Sequence, residues 1–221
     1  MWDPINMTDK KAIIFDMDGV IIDSEKYWKQ AEYEVFTSLG VKVTDEYSEI
    51  TRSMTTSEVT KFWYNRYPWR NKDLDTVEKM VISRVMELIE TENCEITGVK
   101  RFIEKLKAKK YKIGLATNSP HRIIPLVLNK LDVSHLFDST SSAEFEIKGK
   151  PDPSIYLNAA NKLNTKPEDC IVIEDSYSGM LAAKNAGMTV IAYTNGDKEI
   201  NYEIADYKID SFDDNEIELI N

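Results

Sequence analysis

Over residues 98–193 the chain alternates between helical and strand-like patterns, and that alternation restricts it to an α/β architecture built on a parallel sheet with helices on both faces. Residues 98–110 place Val99, Phe102, Ile103 and Leu106 on one helical face, and 112–116 follow as a strand. The strand empties into Thr117-Asn118-Ser119-Pro120, and Pro120 suits the first turn of a helix reaching to about Leu131. Residues 137–142 predict a short strand and 153–163 a helix. Cys170-Ile171-Val172-Ile173 predicts a strand that ends in acid at Glu174-Asp175. Residues 176–186 then read as a helix closed by Gly187, and 189–193 as a last strand.

One more strand precedes this region. Ala12-Ile13-Ile14-Phe15 is an apolar run that stops at Asp16-Met17-Asp18-Gly19. In an open α/β sheet, ligands sit outside the carboxyl ends of the strands, so Asp16 and Asp18 are placed for chemistry. Alternate residues of an extended segment project to one side. Two carboxylates there repel one another, and a hard divalent cation, Mg²⁺ first of all, would relieve the repulsion. Asp-x-Asp-Gly also describes a plain turn after a buried strand. Val20-Ile21-Ile22 reads as part of a turn or flap near the aspartates.

Between the first strand and the alternating region the texture is helical. Tyr27, Trp28, Ala31, Val35 and Leu39 recur at helix spacing, with Ser24 as a candidate N-cap and Gly40 as a stop. Two further helices read over 57–67 and 75–92, the second with Val77, Val81, Val85, Leu88 and Ile89 on one stripe. Residues 23–95 therefore predict an all-helical insert between 1–22 and 96–221. The aromatics Phe62, Trp63, Tyr64, Tyr67 and Trp69 are expected to be the core of that insert rather than a stacking surface for a ligand.

Charge and cysteine content exclude some functions. With 28 Lys plus Arg against 38 Asp plus Glu, the net charge is −10, which disfavours nucleic acid and anionic membranes as partners. Cys94 and Cys170 form no metal-ligand or Cys-x-x-Cys pattern, so a reducing, cytoplasmic location is expected. Residues 1–11 are polar, and no stretch is long and apolar enough to span a bilayer. The acidic stretch from Asp210 onward is expected to be a terminal helix or a frayed end.

Four features fall at strand ends or nearby loops: Asp16 with Asp18, Thr117 with Asn118, Lys150 between Gly149 and Pro151, and Glu174 with Asp175. Each alone has a bland explanation, as a turn, an N-cap, a solvated lysine or a helix-capping acid. Together and in this order, Asp16-Met17-Asp18-Gly19-Val20 with Asp23-Ser24-Glu25, then Thr117-Asn118, then Lys150-Pro151-Asp152-Pro153, then Ile173-Glu174-Asp175-Ser176 with Gly179, they resemble the haloacid dehalogenase superfamily of phosphotransferases. The resemblance spans nearly the whole chain and points within the superfamily to its β-phosphoglucomutase-like branch. It implies a Rossmann-like, doubly wound parallel-sheet core with an inserted α-helical cap that acts as a lid.

The resemblance further implies that Asp16 is a nucleophile and Asp18 a general acid and base. Mg²⁺ would be held by Asp16, the Asp18 main-chain carbonyl, Glu174 and Asp175, and phosphoryl oxygens by Thr117, Asn118 and Lys150. The expected activity is hydrolysis of a small phosphorylated sugar, a hexose or hexitol phosphate such as 2-deoxyglucose 6-phosphate, by a monomer. Alternatives are a phosphosugar mutase of the β-phosphoglucomutase type, a phosphatase for phosphoglycolate or a nucleotide, and a non-catalytic sugar-phosphate sensor. Mutases of the branch carry histidine in the first cap helix where this chain has Trp28, which favours the phosphatase. Arg52, in a loop read over 50–56, is the candidate specificity residue. His121 and His135 are expected to be structural or solvent-facing.

Overall fold

Six strands, all parallel, form the sheet of the computed structural model, which describes residues 9–52, 54–196 and 201–213. They are β1 (Ala12–Phe15), β2 (Lys112–Thr117), β3 (Ser139–Ser142), β4 (Cys170–Glu174), β5 (Thr189–Tyr193) and β6 (Tyr207–Ile209). Their spatial order is β3-β2-β1-β4-β5-β6. The chain winds outward from β1 in one direction and then crosses to β4 and winds outward in the other. That makes the β1–β4 edge the topological switch point, where such sheets bind ligands.

The central strands are apolar throughout because both faces are covered. Ile13 and Phe15 point into one core with Ile113, Leu115, Ile171 and Ile173, closed by Phe102, Ile103 and Leu106 of α5 (Val99–Ala108). Ala12 and Ile14 point into the other, with Val172, Val190, Ile155 and Tyr156 of α7 (Ser154–Lys162), and Met180 of α8 (Tyr177–Asn185). α6 (Ile123–Lys130) joins the first face through Ile123, Ile124, Val127 and Leu128.

Four helices are inserted between β1 and α5 as a small cap: α1 (Glu25–Ser38), α2 (Asp45–Thr51), α3 (Thr56–Arg66) and α4 (Leu74–Thr91). α4 buries the predicted stripe of Val77, Val81, Val85, Leu88 and Ile89. Trp63 is fully buried and packs on Phe36, Tyr47 and Phe62 with ring centroids 5.9, 5.7 and 5.3 Å away. These aromatics are the cap's own core. Val20, Ile21 and Ile22 are completely buried in a turn closed by the Ile21 and Ile22 amides on the Met17 carbonyl. Where the chain enters and leaves the cap, the Asp23 amide donates to the Cys94 carbonyl at 2.9 Å and Ile22 bridges to Glu95.

Several local expectations need correction. α2 was not expected, because Asp-Glu-Tyr-Ser-Glu-Ile-Thr has no apolar stripe; consequently Ile50 and Thr51 lie in a helix and Arg52 follows it directly. β6 was also missed, being three residues long with only Ile209 buried. Ser24 does not cap α1, since its hydroxyl is drawn to Asp18 instead. Pro120 precedes α6 by a turn, and the proline in the first turn of that helix is Pro125. Residues 214–221, most of the acidic stretch from Asp210, and residues 1–8 of the polar N-terminus lie outside the described residues. Among the described residues no helix is long and apolar enough to cross a membrane.

Candidate active site

β1 and β4 are neighbours in register, Phe15 beside Ile173, so the residues that leave their ends must meet. Asp16, Glu174 and Asp175 come together there, with one carboxylate oxygen from each lying within 4.8 Å of the others. Two glycines make that approach possible. A Cβ on Gly19, whose φ is +82°, would lie 2.0 Å from Asp175 Oδ2, and one on Gly179 would lie 1.6 Å from Glu174 Oε1. Gly179→Ala is therefore expected to push Glu174 off its partners and lower both melting temperature and activity; a variant with native stability in a thermal melt would contradict this placement.

Lys150 enters the cluster from the loop before α7. It is almost fully buried, and its ammonium donates to Asp16 Oδ1, to Glu174 Oε1 at 2.7 Å and to the Ala116 carbonyl at 3.0 Å. All three of its N–H donors are thus engaged. The Lys150 amide donates to Asn118 Oδ1 at 2.9 Å, which ties the loop to the end of β2.

One ammonium faces three acids, and the titration of each group follows from that count. Burial pushes the Asp16 carboxyl up to about 8 against the pull of Lys150, with Glu174 and Asp18 adding to the rise. Burial and the Glu174 and Asp16 charges also hold Asp175 well above the carboxylate range. Burial alone would lower the Lys150 ammonium, but Asp16 and Glu174 outweigh it and hold it well above its ordinary value. A raised acid and a raised base in one ion pair are consistent here, because Lys150 is shared and the excess negative charge is left on the carboxylates. Hard oxygen donors in a cluster short of positive charge fit a divalent cation.

Glu174 differs from the other two acids in how fully it is used. Oε1 accepts from Lys150 and from the Tyr156 hydroxyl at 2.9 Å, and Oε2 accepts from the Ser176 amide and hydroxyl, both at 2.9 Å. Its four lone-pair sites are filled, so direct metal ligation would displace a partner, the rotatable Ser176 hydroxyl most readily.

The Asp18 carboxylate lies outside the three-acid cluster, though near enough to Asp16 to raise its carboxyl, and both line one cavity. The strand ends at Phe15 and the turn that follows swings Asp18 toward the cap. Oδ1 accepts from the Ser24 hydroxyl at 2.6 Å and the Trp28 indole N–H at 2.9 Å, while Oδ2 accepts from Ser119 at 2.6 Å and Thr117 at 3.2 Å. Thr117, expected at a phosphoryl group, is thus partly committed to Asp18. Ser119 and Ser24 were not singled out for this contact, nor was Tyr156 for Glu174. A single sequence carries no signal for such tertiary contacts.

These groups open into a cavity of about 480 Å³ between core and cap, lined by Asp16, Asp18, Thr117, Asn118, Lys150, Glu174 and Asp175 on one side. From the cap come Trp28, Glu32, Arg52 and Met54, among others. Arg52 lines the cavity as expected, with its guanidinium 2.9 Å from Glu25. The aromatics from Phe62 to Trp69 do not line it, and His121 and His135 are exposed outside it.

The sequence pattern of the haloacid dehalogenase-like hydrolases matches residues 13–193, from β1 through β5. The chain belongs to that family. Among haloacid dehalogenase-like relatives, hexitol phosphatase B of Escherichia coli strain K12 is 36% identical over 204 residues, covering 90% of this chain and 91% of the relative. A phosphorylated carbohydrates phosphatase of Thermotoga maritima is 33% identical, covering 80% of this chain and 82% of its own. Among solved structures, a β-phosphoglucomutase from Clostridium difficile superposes with a TM-score of 0.80 at 28% identity, covering 92% of each chain. The helical cap on a parallel-sheet core is thus shared with this branch of the family.

Proposed function

We propose that this chain is a Mg²⁺-dependent phosphatase of small sugar phosphates, hexose or hexitol phosphates such as 2-deoxyglucose 6-phosphate, working through an aspartyl-phosphate at Asp16. As a phosphoric monoester hydrolase it must bring a dianionic ester to an anionic nucleophile. The observation that carries the reading is the cluster itself: a buried carboxylate at the switch point, held by Lys150, with two more acids within ligating distance of it. The names of the relatives, phosphatases of hexitols and phosphorylated carbohydrates, support the substrate class.

Asp16 attacks phosphorus in line with the departing sugar oxygen. Asp18 donates a proton to that oxygen and later accepts one from the water that hydrolyses the acyl-phosphate. The three hydroxyls around Asp18 can donate or accept, whereas the Trp28 indole only donates. A protonated Asp18 can donate to any of those hydroxyls, each of which can turn to accept, or to the departing oxygen. Lys150 keeps its charge beside Asp16 and, with Thr117 and Asn118, stabilises the transferring phosphoryl oxygens. Asp16, the Asp18 carbonyl, Glu174 and Asp175 would hold the metal, Glu174 giving up its Ser176 hydroxyl contact to do so. Bound there, the cation offsets the repulsion between nucleophile and phosphate. The cap, residues 23–95, closes over the cavity to exclude water while the acyl-phosphate forms.

The test is phosphate release from 2-deoxyglucose 6-phosphate, sorbitol 6-phosphate, mannitol 1-phosphate, glucose 6-phosphate, phosphoglycolate and a nucleoside monophosphate, with Mg²⁺ and with chelator. Isomerisation of β-glucose 1-phosphate is followed in parallel. Release from hexose or hexitol phosphates that stops with chelator is expected. Isomerisation without net release would make the chain a mutase, and activity confined to phosphoglycolate or the nucleotide would replace the sugar.

A further inference from the structure

One group in the cavity wall has no part in the chemistry above. Glu25, Trp28, Lys29 and Glu32 all line the cavity, the spacing of one face of α1. Glu25 is paired with Lys29 and Arg52, each at 2.9 Å. Glu32 is different: it is partly buried, and among the described residues no hydrogen bond or ion pair involves its carboxylate. Burial pushes its carboxyl up to about 7, with no neighbouring charge contributing. A carboxylate in that position costs stability, and Gln or Leu would pack there at lower cost.

Its place along α1 gives the cost a use. Trp28 touches Asp18, the group that faces the departing oxygen, and Glu32 lies one turn further on, about 6 Å along the helix axis. A substrate whose phosphoryl group sits at Asp16 and whose ester oxygen faces Asp18 can extend its carbon chain along this face. Sugar and polyol hydroxyls are donors, and vicinal hydroxyls can satisfy both oxygens of a carboxylate. A second phosphate would instead meet an uncompensated acid.

We propose that Glu32 is a substrate-binding residue that accepts hydrogen bonds from hydroxyl groups of the carbon chain, selecting hydroxylated monophosphates over hydroxyl-free phosphate esters and over bisphosphates. The inference rests on the sugar-phosphate reading and gives that reading its contact on the cap. Ser48, Thr51 and Thr56 also line the cavity.

Steady-state kinetics of the wild type, Glu32→Ala and Glu32→Gln on sorbitol 6-phosphate, ethyl phosphate and fructose 1,6-bisphosphate test it. Glu32→Ala is expected to raise KM for sorbitol 6-phosphate about 10-fold or more, since each lost hydroxyl contact is replaced by an unpaired donor. Its kcat/KM for ethyl phosphate should stay at the wild-type value, and discrimination against the bisphosphate should shrink. Glu32→Gln, of the same size, keeps one acceptor and should fall between; its melting temperature at pH 8 should not drop below wild type, which separates binding from folding. Equal changes for all three esters, or none, would overturn the assignment while leaving the sugar-phosphate reading intact. A wild type that hydrolyses ethyl phosphate as well as it does any sugar phosphate would overturn both.

Discussion

Asp16→Asn should lower turnover of sugar phosphates by ~10⁴-fold or more, because the change removes the nucleophile that forms the acyl-phosphate. The same change should leave the fold as stable as the wild type, or more so. Asp16 titrates at about 8 in the folded chain because burial and neighbouring acids oppose its charge. A folded-state pKa raised above the unfolded one means that the native state binds the proton more tightly. The stability penalty accordingly grows as pH rises from the ordinary carboxylate range and is full above about 8. Asparagine removes that penalty. Lys150 loses the charge of Asp16, but the asparagine carbonyl can still accept from it, and Glu174 and the Ala116 carbonyl remain. Thermal melts in chelator at pH 8, beside phosphate-release assays, separate the two effects. Near-normal turnover would remove Asp16 from the mechanism, and a large loss of melting temperature would show that its charge is structural.

Lys150→Met should act in the opposite way on stability. It leaves Asp16, Glu174 and Asp175 buried or partly buried with their one ammonium gone. Removing one partner of a buried ion pair costs about 3–5 kcal/mol, and methionine keeps most of the volume so that packing contributes little. Turnover should fall by ~10³-fold, the scale of losing a preorganised charge at a transferring group. Mg²⁺ should recover more stability in the variant than in the wild type, because the acids there have no other cation. Denaturant titrations in chelator and in Mg²⁺ read both numbers. An unchanged midpoint in chelator would mean that protonation of the acids already suffices.

The main features of the fold were legible because its central strands are covered on both faces. β1 is apolar to its last residue and β4 as far as Ile173, and both then turn acidic, a contrast that needs no tertiary information. Three of the four features, those at Asp16, Thr117 and Glu174, were legible for the same reason, each ending a segment whose period was clear, while Lys150 lies in the loop before α7. What was hidden depends on contacts between segments far apart in the chain. Ser24 reads locally as an N-cap, yet its hydroxyl goes to Asp18. Asp18 reads as a neighbour of Asp16 by strand alternation, but the hydrogen bonds its carboxylate accepts from Ser24, Trp28, Thr117 and Ser119 have no such local sign. α2 lacked a stripe because it buries little, and β6 is too short to show a period. Glu32 looked like any polar residue on an amphipathic helix, since only the packed cap reveals that this polar face borders a cavity instead of bulk water.

The most direct measurement is chemical trapping of the intermediate. The enzyme is mixed with 2-deoxyglucose 6-phosphate and Mg²⁺, quenched during turnover, reduced with borohydride and digested for mass spectrometry. An acyl-phosphate at Asp16 is reduced to homoserine, so homoserine should be found at position 16 with substrate present and be absent without substrate or in Asp16→Asn. Steady phosphate release with unmodified Asp16, or with the modification at another carboxylate, would contradict the account.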